Sequence, residues 1–284
     1  MTDRILALVD GSAYSESVCH HTAWIAARLN ASVDVMHVLG RREIGTTQNL
    51  SGALTLGARS ALLEELASAD ESRARLAQIK GRAILEDAQA ILRTDGVGQV
   101  TPHLRKGDIL EAVQQAEPDL RAIVIGKRGE GAEFASAHLG SNLERIVRAS
   151  KVPVFVASRA FAPVTKVLVA FDGSASAVRA VQRMAKSPVF HGLQVTLLFA
   201  GTVTPALRGR LDDAVLTLAA TGLQVDTRIQ PGEPEEVLQA VVAAEGYGLL
   251  VMGAYGHSRI RHLIIGSTTT AMVQAVRIPV LMYR

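Results

Sequence analysis

The chain has 284 residues, enough for two ordinary domains, and its 48% hydrophobic and 20% charged residues describe a globular protein with a sizeable core. A formal net charge of +3, acids and bases interleaved as in Glu71-Ser72-Arg73-Ala74-Arg75, and only 4% aromatic residues argue against nucleic acid as a partner, which calls for a concentrated basic face or stacking platforms. No apolar run nears the roughly 20 residues that cross a bilayer, the N-terminus does not read as a signal peptide, and the single Cys19 allows no internal disulfide or cysteine metal cluster, so a soluble, cytoplasmic protein is expected.

In chain order, Ile5-Leu6-Ala7-Leu8-Val9 is a continuous apolar run, the pattern of a strand buried on both faces of a parallel sheet, and Asp10-Gly11-Ser12 ends it. Ser12 is a candidate N-cap for the helix that follows. On that helix His20 and His21 are adjacent and so diverge, and Cys19 reads as a packed thiol. A second strand runs from Ser32 to Val38. Arg41 to Gly98 holds a Gly/Thr/Ser-rich loop and then a helical pattern, with Leu62, Leu63, Leu66, Ile79, Ile84, Leu85, Ile91 and Leu92 at mixed spacings of three to five. A third strand is expected near Thr101 to Leu104. Gly107-Asp108 reads as a turn and the start of an acidic first helical turn. A fourth strand ends at Gly126, and another helix and a last strand at Val152 to Val156 follow. Phe161-Ala162-Pro163 interrupts the pattern and marks a junction between Ser158 and Thr165.

The series then repeats. Lys166-Val-Leu-Val-Ala-Phe-Asp172-Gly-Ser parallels Arg4-Ile-Leu-Ala-Leu-Val-Asp10-Gly-Ser, with Ser174 as N-cap candidate, and Gln194 to Ala200 parallels the second strand. A single helix is expected at about Ala206 to Ala220, a third strand near Gln224 to Ile229, and a helix from Pro234. Gly253-x-x-Gly256 parallels Gly126-x-x-Gly129, Gly266-Ser267 parallels Gly140-Ser141, and Ile278-Pro279-Val280 parallels Val152-Pro153-Val154. Asp10 and Asp172 are 162 positions apart, whereas Gly126 and Gly253 are 127 apart, so about 35 extra residues lie in the first copy. Strands alternating with helices argue for two doubly wound, open parallel-sheet α/β domains in tandem, at residues 1–158 and 164–284, the first with an extra helical segment at 41–98. Ligands of such sheets bind beyond the carboxyl ends of the strands, where Asp-Gly-Ser and the glycines fall.

In the second copy the fourth strand ends in Gly253-Ala254-Tyr255-Gly256, and Gly266-Ser267-Thr268 opens the last helix. The glycines let a backbone turn close to a bound anion, and a helix N-terminus offers free N–H groups and a positive dipole end to a phosphate. No Gly-Lys-Ser/Thr closes the loop, so it is not a Walker A sequence. A glycine pair after a strand also suits a plain tight turn, and Ser267 also suits a plain N-cap. The second Gly-Ser, together with Asp172 at the neighbouring strand end, favours a nucleotide.

Gly253-x2-Gly256-x9-Gly266-Ser267, with a strand ending in Asp172-Gly-Ser and a last strand at Ile278-Pro279-Val280, resembles the universal stress protein family, tandem type, over nearly the whole chain. The resemblance implies adenine-nucleotide alpha-hydrolase-like (Rossmann/flavodoxin-like) domains and a cytoplasmic stress-response protein that binds ATP, ADP or AMP, with Mg²⁺ arriving on the phosphates. By that likeness Asp172 would contact adenosine, and Ala170 and Ala200 would line the adenine pocket. Met252, Gly253 and Gly256 would meet ribose and phosphates, and Gly266, Ser267 and Thr268 would surround the phosphates. It also implies pairing of the two final strands within the chain, and a homodimer beyond that.

The corresponding positions of the first copy, Asp10, Val38, Gly126, Gly129, Gly140 and Ser141, form a second candidate site that departs from the pattern. Ten residues rather than nine separate Gly129 from Gly140, and two of them, Glu130 and Glu133, would repel a polyphosphate, with Lys127 and Arg128 as partial compensation. Arg259 and Arg261 suit solvation. His257 and His262, five apart, make poor metal partners, and no nucleophile elbow is present. Two rivals to the nucleotide-binding regulator stay open: a slow ATPase or ATP-using enzyme, and a nucleotide-free interaction module.

Overall fold

The structure is a computed structural model and describes residues 3–40, 56–129, 140–254 and 272–284. Its first five strands are β1 (Arg4–Leu8), β2 (Ser32–Leu39), β3 (Val100–Lys106), β4 (Leu120–Gly126) and β5 (Val154–Ala157). The second five are β6 (Lys166–Ala170), β7 (Gln194–Ala200), β8 (Gln224–Gln230), β9 (Leu249–Gly253) and β10 (Val280–Tyr283). All ten lie in one sheet in the order β3-β2-β1-β4-β5-β10-β9-β6-β7-β8. Each half is parallel, as the doubly buried runs Ile5–Leu8 and Val167–Val169 require. The halves meet antiparallel through β5 and β10, with Val154 opposite Met282, Phe155 opposite Leu281 and Val156 opposite Val280. The expected pairing of final strands is therefore present within the chain. Pro102 lies in β3, an edge strand, where its missing N–H costs no ladder bond.

Helices cover both faces. On one side lie α1 (Ser15–Leu29), α2 (Leu56–Thr94), α5 (Ala175–Ala185) and α6 (Pro205–Ala219). On the other lie α3 (Ile109–Ala116), α4 (Ser141–Ala149), α7 (Pro234–Glu245) and the helical residues 272–275. Each apolar layer runs across both halves without a break, so the seam is buried as core. Arg28 of α1 adds a polar tie, donating to the carbonyls of Val189 (3.0 Å) and His191 (2.9 Å) in the other half.

The helical part of the extra segment is one 39-residue helix, α2, of which the stretch from Gly81 to Leu92 packs on the sheet while Leu76 and Ile79 stay exposed. Its mixed apolar spacing reflects that only part of the helix has a face to bury; residues 41–55 of the segment lie outside the described residues. One local expectation needs correction. Ser12 is not an N-cap. Its hydroxyl accepts from Tyr14 N–H (3.3 Å) within a turn, and α1 starts only at Ser15. Ser174 does cap α5, accepting from Ala177 N–H at 3.2 Å.

Among the described residues no helix is long and apolar enough to cross a membrane.

Candidate functional site

In both halves Asp-Gly-Ser forms the same turn just beyond the first strand. Asp10 Oδ1 accepts from Ser12 N–H (3.1 Å) and Asp172 Oδ1 from Ser174 N–H (2.9 Å), so one carboxylate oxygen fixes each turn. The central glycines, Gly11 (φ +76°) and Gly173 (φ +71°), occupy the left-handed region that side chains disfavour. A helix crosses above each of them. Ile84 of α2 lies where a Cβ on Gly11 would approach to 2.8 Å, and Leu207 of α6 where one on Gly173 would approach to 2.4 Å. Arg210 of α6 also donates to the Gly173 carbonyl at 2.8 Å.

The structure brings Ala170, Asp172, Ala200, Met252 and Gly253 together at the carboxyl ends of neighbouring strands β6, β7 and β9. Ala170 and Ala200 are half-buried and lean on the apolar layer that includes Met252, Met272, Val273 and Val276; Asp172 is exposed. Gly253 also meets a packing constraint. A Cβ there would lie 2.6 Å from the Ser176 carbonyl carbon and 2.8 Å from the Ala177 nitrogen, so its bareness lets β9 abut the first turn of α5. Gly256, Gly266, Ser267 and Thr268 lie outside the described residues, as do His257, Arg259, Arg261 and His262.

In the first half Asp10, Val38, Gly126, Gly129 and Gly140 converge in the same way. Gly126 faces Tyr14 of the turn into α1, its virtual Cβ 2.7 Å from the tyrosine Cβ. Gly129 sits so near Asp10 that a Cβ would fall 2.7 Å from the carboxylate Oδ2. Gly140 N–H donates to the Lys127 carbonyl at 3.3 Å, and Gly140-Ser141 opens α4, as the spacing requires. Glu130 and Glu133 lie outside the described residues.

Lys127 is buried, 8% exposed, and its Nζ donates to the Val276 carbonyl of the other half at 2.5 Å. Burial, then the neighbouring Arg128, lowers its pKa from 10.5 to about 8.

Other candidates take structural roles. Asp108 caps α3 through Leu110 N–H (2.9 Å) and Glu111 N–H (3.3 Å) and receives both oxygens' worth of Arg145 donation, which holds its carboxyl below the usual range. Cys19 is buried, its thiol pushed up to about 12 by that burial and then by Asp95 and Glu16. His20 bonds Asp95 at 2.6 Å, while His21 is fully buried on Ser17 O (2.7 Å), Phe155 and Phe161. A crevice of ≈ 520 Å³ between β2 and α2, lined by His37, Leu39, Leu76 and Ile79 among others, opens on the opposite face of β2 from Val38. Among the described residues no three His, Cys, Asp or Glu side chains gather as metal ligands.

With this geometry in view, a model of the universal stress protein family matches residues 1–158 and 201–284. Universal stress protein Slr1230 of Synechocystis sp. is 34% identical over 284 residues, which cover 99% of each chain. Two solved structures share the fold over 99% of this chain. One, a universal stress protein from Archaeoglobus fulgidus, is 19% identical, covered over 96% of its length, with a TM-score of 0.70. The other, a putative universal stress protein from Pseudomonas aeruginosa, is 16% identical, covered over 93%, with a TM-score of 0.61.

Proposed function

The chain belongs to the universal stress protein family, and from that premise we propose that it is a cytoplasmic regulatory protein whose second half binds an adenine nucleotide, ATP or its hydrolysis products. One observation carries the reading: Ala170, Asp172, Ala200, Met252 and Gly253 meet at the carboxyl edge of β6, β7 and β9, on the face where the chain returns as the last helix. The segment joining β9 to that helix contains Gly256 and Gly266-Ser267-Thr268.

In this reading the short side chains of Ala170 and Ala200 leave room for a flat base over the apolar layer beneath them. Asp172 spends one oxygen on its turn and offers the carboxylate to the adenosine hydroxyl or amino groups. Phosphates would lie toward the start of the last helix, where N–H groups and the dipole favour negative charge. Mg²⁺ would enter on the phosphates and supply charge neutralisation there. Nucleotide occupancy would act on conformation and partner choice, and a homodimer of the whole chain belongs to the same proposal. The domains 1–158 and 164–284 are proposed as its units.

The test is direct. Purified protein is denatured and the supernatant searched for nucleotide, and stripped protein is titrated with ATP and ADP by calorimetry. Saturable binding is expected, lost on Gly256→Trp. No released nucleotide and no binding heat would defeat the proposal, and turnover lost with Asp172→Ala would move the reading to an enzyme.

A further inference from the structure

The ten-stranded sheet ends in two edge strands, β3 and β8, and they are built differently. In β3 the carbonyl of Gln99 accepts from Val33 N–H (2.9 Å), and backbone groups alternate along a strand, so Val100, Pro102, Leu104 and Lys106 turn theirs outward. Pro102 has no N–H to offer there, and the exposed Arg105 and Lys106 add like charge; both devices keep an edge from pairing. In β8 the carbonyl of Gln230 accepts from the N–H of Gly201, which follows β7 (2.8 Å), so Gln224, Asp226, Arg228 and Gln230 turn their backbone toward β7. The N–H and C=O groups of Val225, Thr227 and Ile229 face outward, and among the described residues none of them has a hydrogen-bond partner. This edge carries no proline, one acid and one base.

The sequence of β8, Gln224-Val225-Asp226-Thr227-Arg228-Ile229-Gln230, complements itself in the antiparallel sense. Laid against a second copy about a twofold axis through Thr227, it sets Gln224 opposite Gln230, Val225 opposite Ile229 and Asp226 opposite Arg228. The backbone agrees with this register. Thr227 with Thr227, and Val225 with Ile229, are outward-facing residues and form the hydrogen-bonded pairs. Asp226 and Arg228 then fall in the closer, non-hydrogen-bonded pairs, where opposite charges meet. Moving the axis to Asp226 or to Arg228 would put like charges face to face. Val225 and Ile229 pack on the apolar layer that α6 covers, so the contact extends that layer across the axis. Arg228 pairs with Glu245 of α7 within the chain, at the rim that the second carboxylate would approach.

We propose that β8 is the surface through which a second copy of this chain binds, edge to edge and antiparallel about Thr227. The inference rests on the homodimer named in the proposed function and supplies its surface. The occupant is a second copy because the strand's charges and apolar residues complement the strand itself. With β3 blunted, one edge alone pairs, so the assembly closes as a twofold dimer and does not grow into a fibre. A single seven-residue ladder is smaller than a standard interface, so the dimer is weak, with a dissociation constant on the order of tens of micromolar.

Sedimentation equilibrium of the whole chain, from micromolar to submillimolar concentration, reads the dimer directly. Thr227→Pro copies onto β8 the device of β3. It removes an outward N–H and no bond to β7, and it is expected to leave a monomer. Asp226→Lys meets Arg228 of the second copy with like charge at two places and should weaken the dimer about tenfold, and Arg228→Glu should do the same against Asp226. Mixed together, these two variants restore two pairs of opposite charge, so a mixed dimer of near wild-type affinity is expected where each variant alone stays largely monomeric.

A wild-type dimer that Thr227→Pro and both charge variants leave intact overturns the inference and leaves the homodimer standing on another surface. A wild type that stays monomeric throughout defeats the inference and the proposed homodimer together, with nucleotide binding still to stand or fall on its own titration. Should Thr227→Pro fail to fold, the mixture decides, and the absence of a mixed dimer overturns the proposal. Assemblies that grow beyond two chains overturn it as well.

Discussion

The two halves share one scaffold and differ in what they place around the same turn. Over Gly11 the first half sets α2, a 39-residue helix, while over Gly173 the second sets α6, of 15 residues, and adds Arg210 to the glycine carbonyl. The first half starts α1 after an extra turn at Ser12, while the second starts α5 directly on the Ser174 cap. The first sends a lysine across the seam where the second keeps Ala254. Both copies conserve the positions that make strands and turns, and they diverge where a side chain has another element, or the other half, within reach.

The largest test of this comparison lies at the seam, where, among the described residues, the first half alone contributes a buried imidazole. Burial lowers the His21 pKa from 6.5 to about 4, against a smaller opposing effect of its bond to Ser17 O, so the native state keeps it neutral. The unfolded chain binds a proton that the folded chain refuses between those values. Stability is therefore full above pH 6.5 and falls as pH drops toward 4, by about 3 kcal/mol from this group. Urea unfolding at pH 7 and pH 4 measures it; His21→Leu should flatten that part of the profile, and an unchanged profile would place the acid sensitivity elsewhere.

Next in size is the strand-end glycine. Gly253→Ala drives a methyl into the backbone of Ser176 and Ala177 and is expected to cost about 2–3 kcal/mol. Gly126→Ala meets the Tyr14 Cβ, which moves only with its own backbone in the turn into α1, and should cost about 1–2 kcal/mol. Equal losses in thermal unfolding would show that the two halves hold their first helices alike. Smallest is the cap. Ser174→Ala should cost about 1 kcal/mol and Ser12→Ala under about 0.5 kcal/mol, because only the first of these hydroxyls caps a helix.

The sheet was legible in the sequence because parallel strands buried on both faces read as unbroken apolar runs, and Gly126 and Gly253 mark two strand ends to the residue. The β5–β10 pairing was legible only through the family resemblance. What local pattern hid was the reason behind a residue. Gly253, singled out by its spacing from Gly256, also serves a helix contact that no spacing shows. Lys127 looks like loop charge, yet its partner Val276 is 149 positions away, and no spacing rule reaches that far. Ser12 and Ser174 stand in the same tripeptide, and only the residues after them decide which one becomes a cap. The helix α2 blurred its own signal by leaving much of its length without a face to bury.

The seam also sets how the protein meets dilution. Its ladder spans three residue pairs, Val154–Val156 with Val280–Met282, a contact that two separate chains would form only as a second-order reaction. Joined through residues 159–165, the two strands see each other at an effective concentration on the order of millimolar, whatever the amount of protein in solution. Closure is then first-order, and the ten-stranded sheet should persist at nanomolar concentrations. Fluorescence-detected unfolding midpoints should accordingly stay fixed across a thousandfold dilution, and cutting the chain between Arg159 and Pro163 should make the same midpoints slide with concentration.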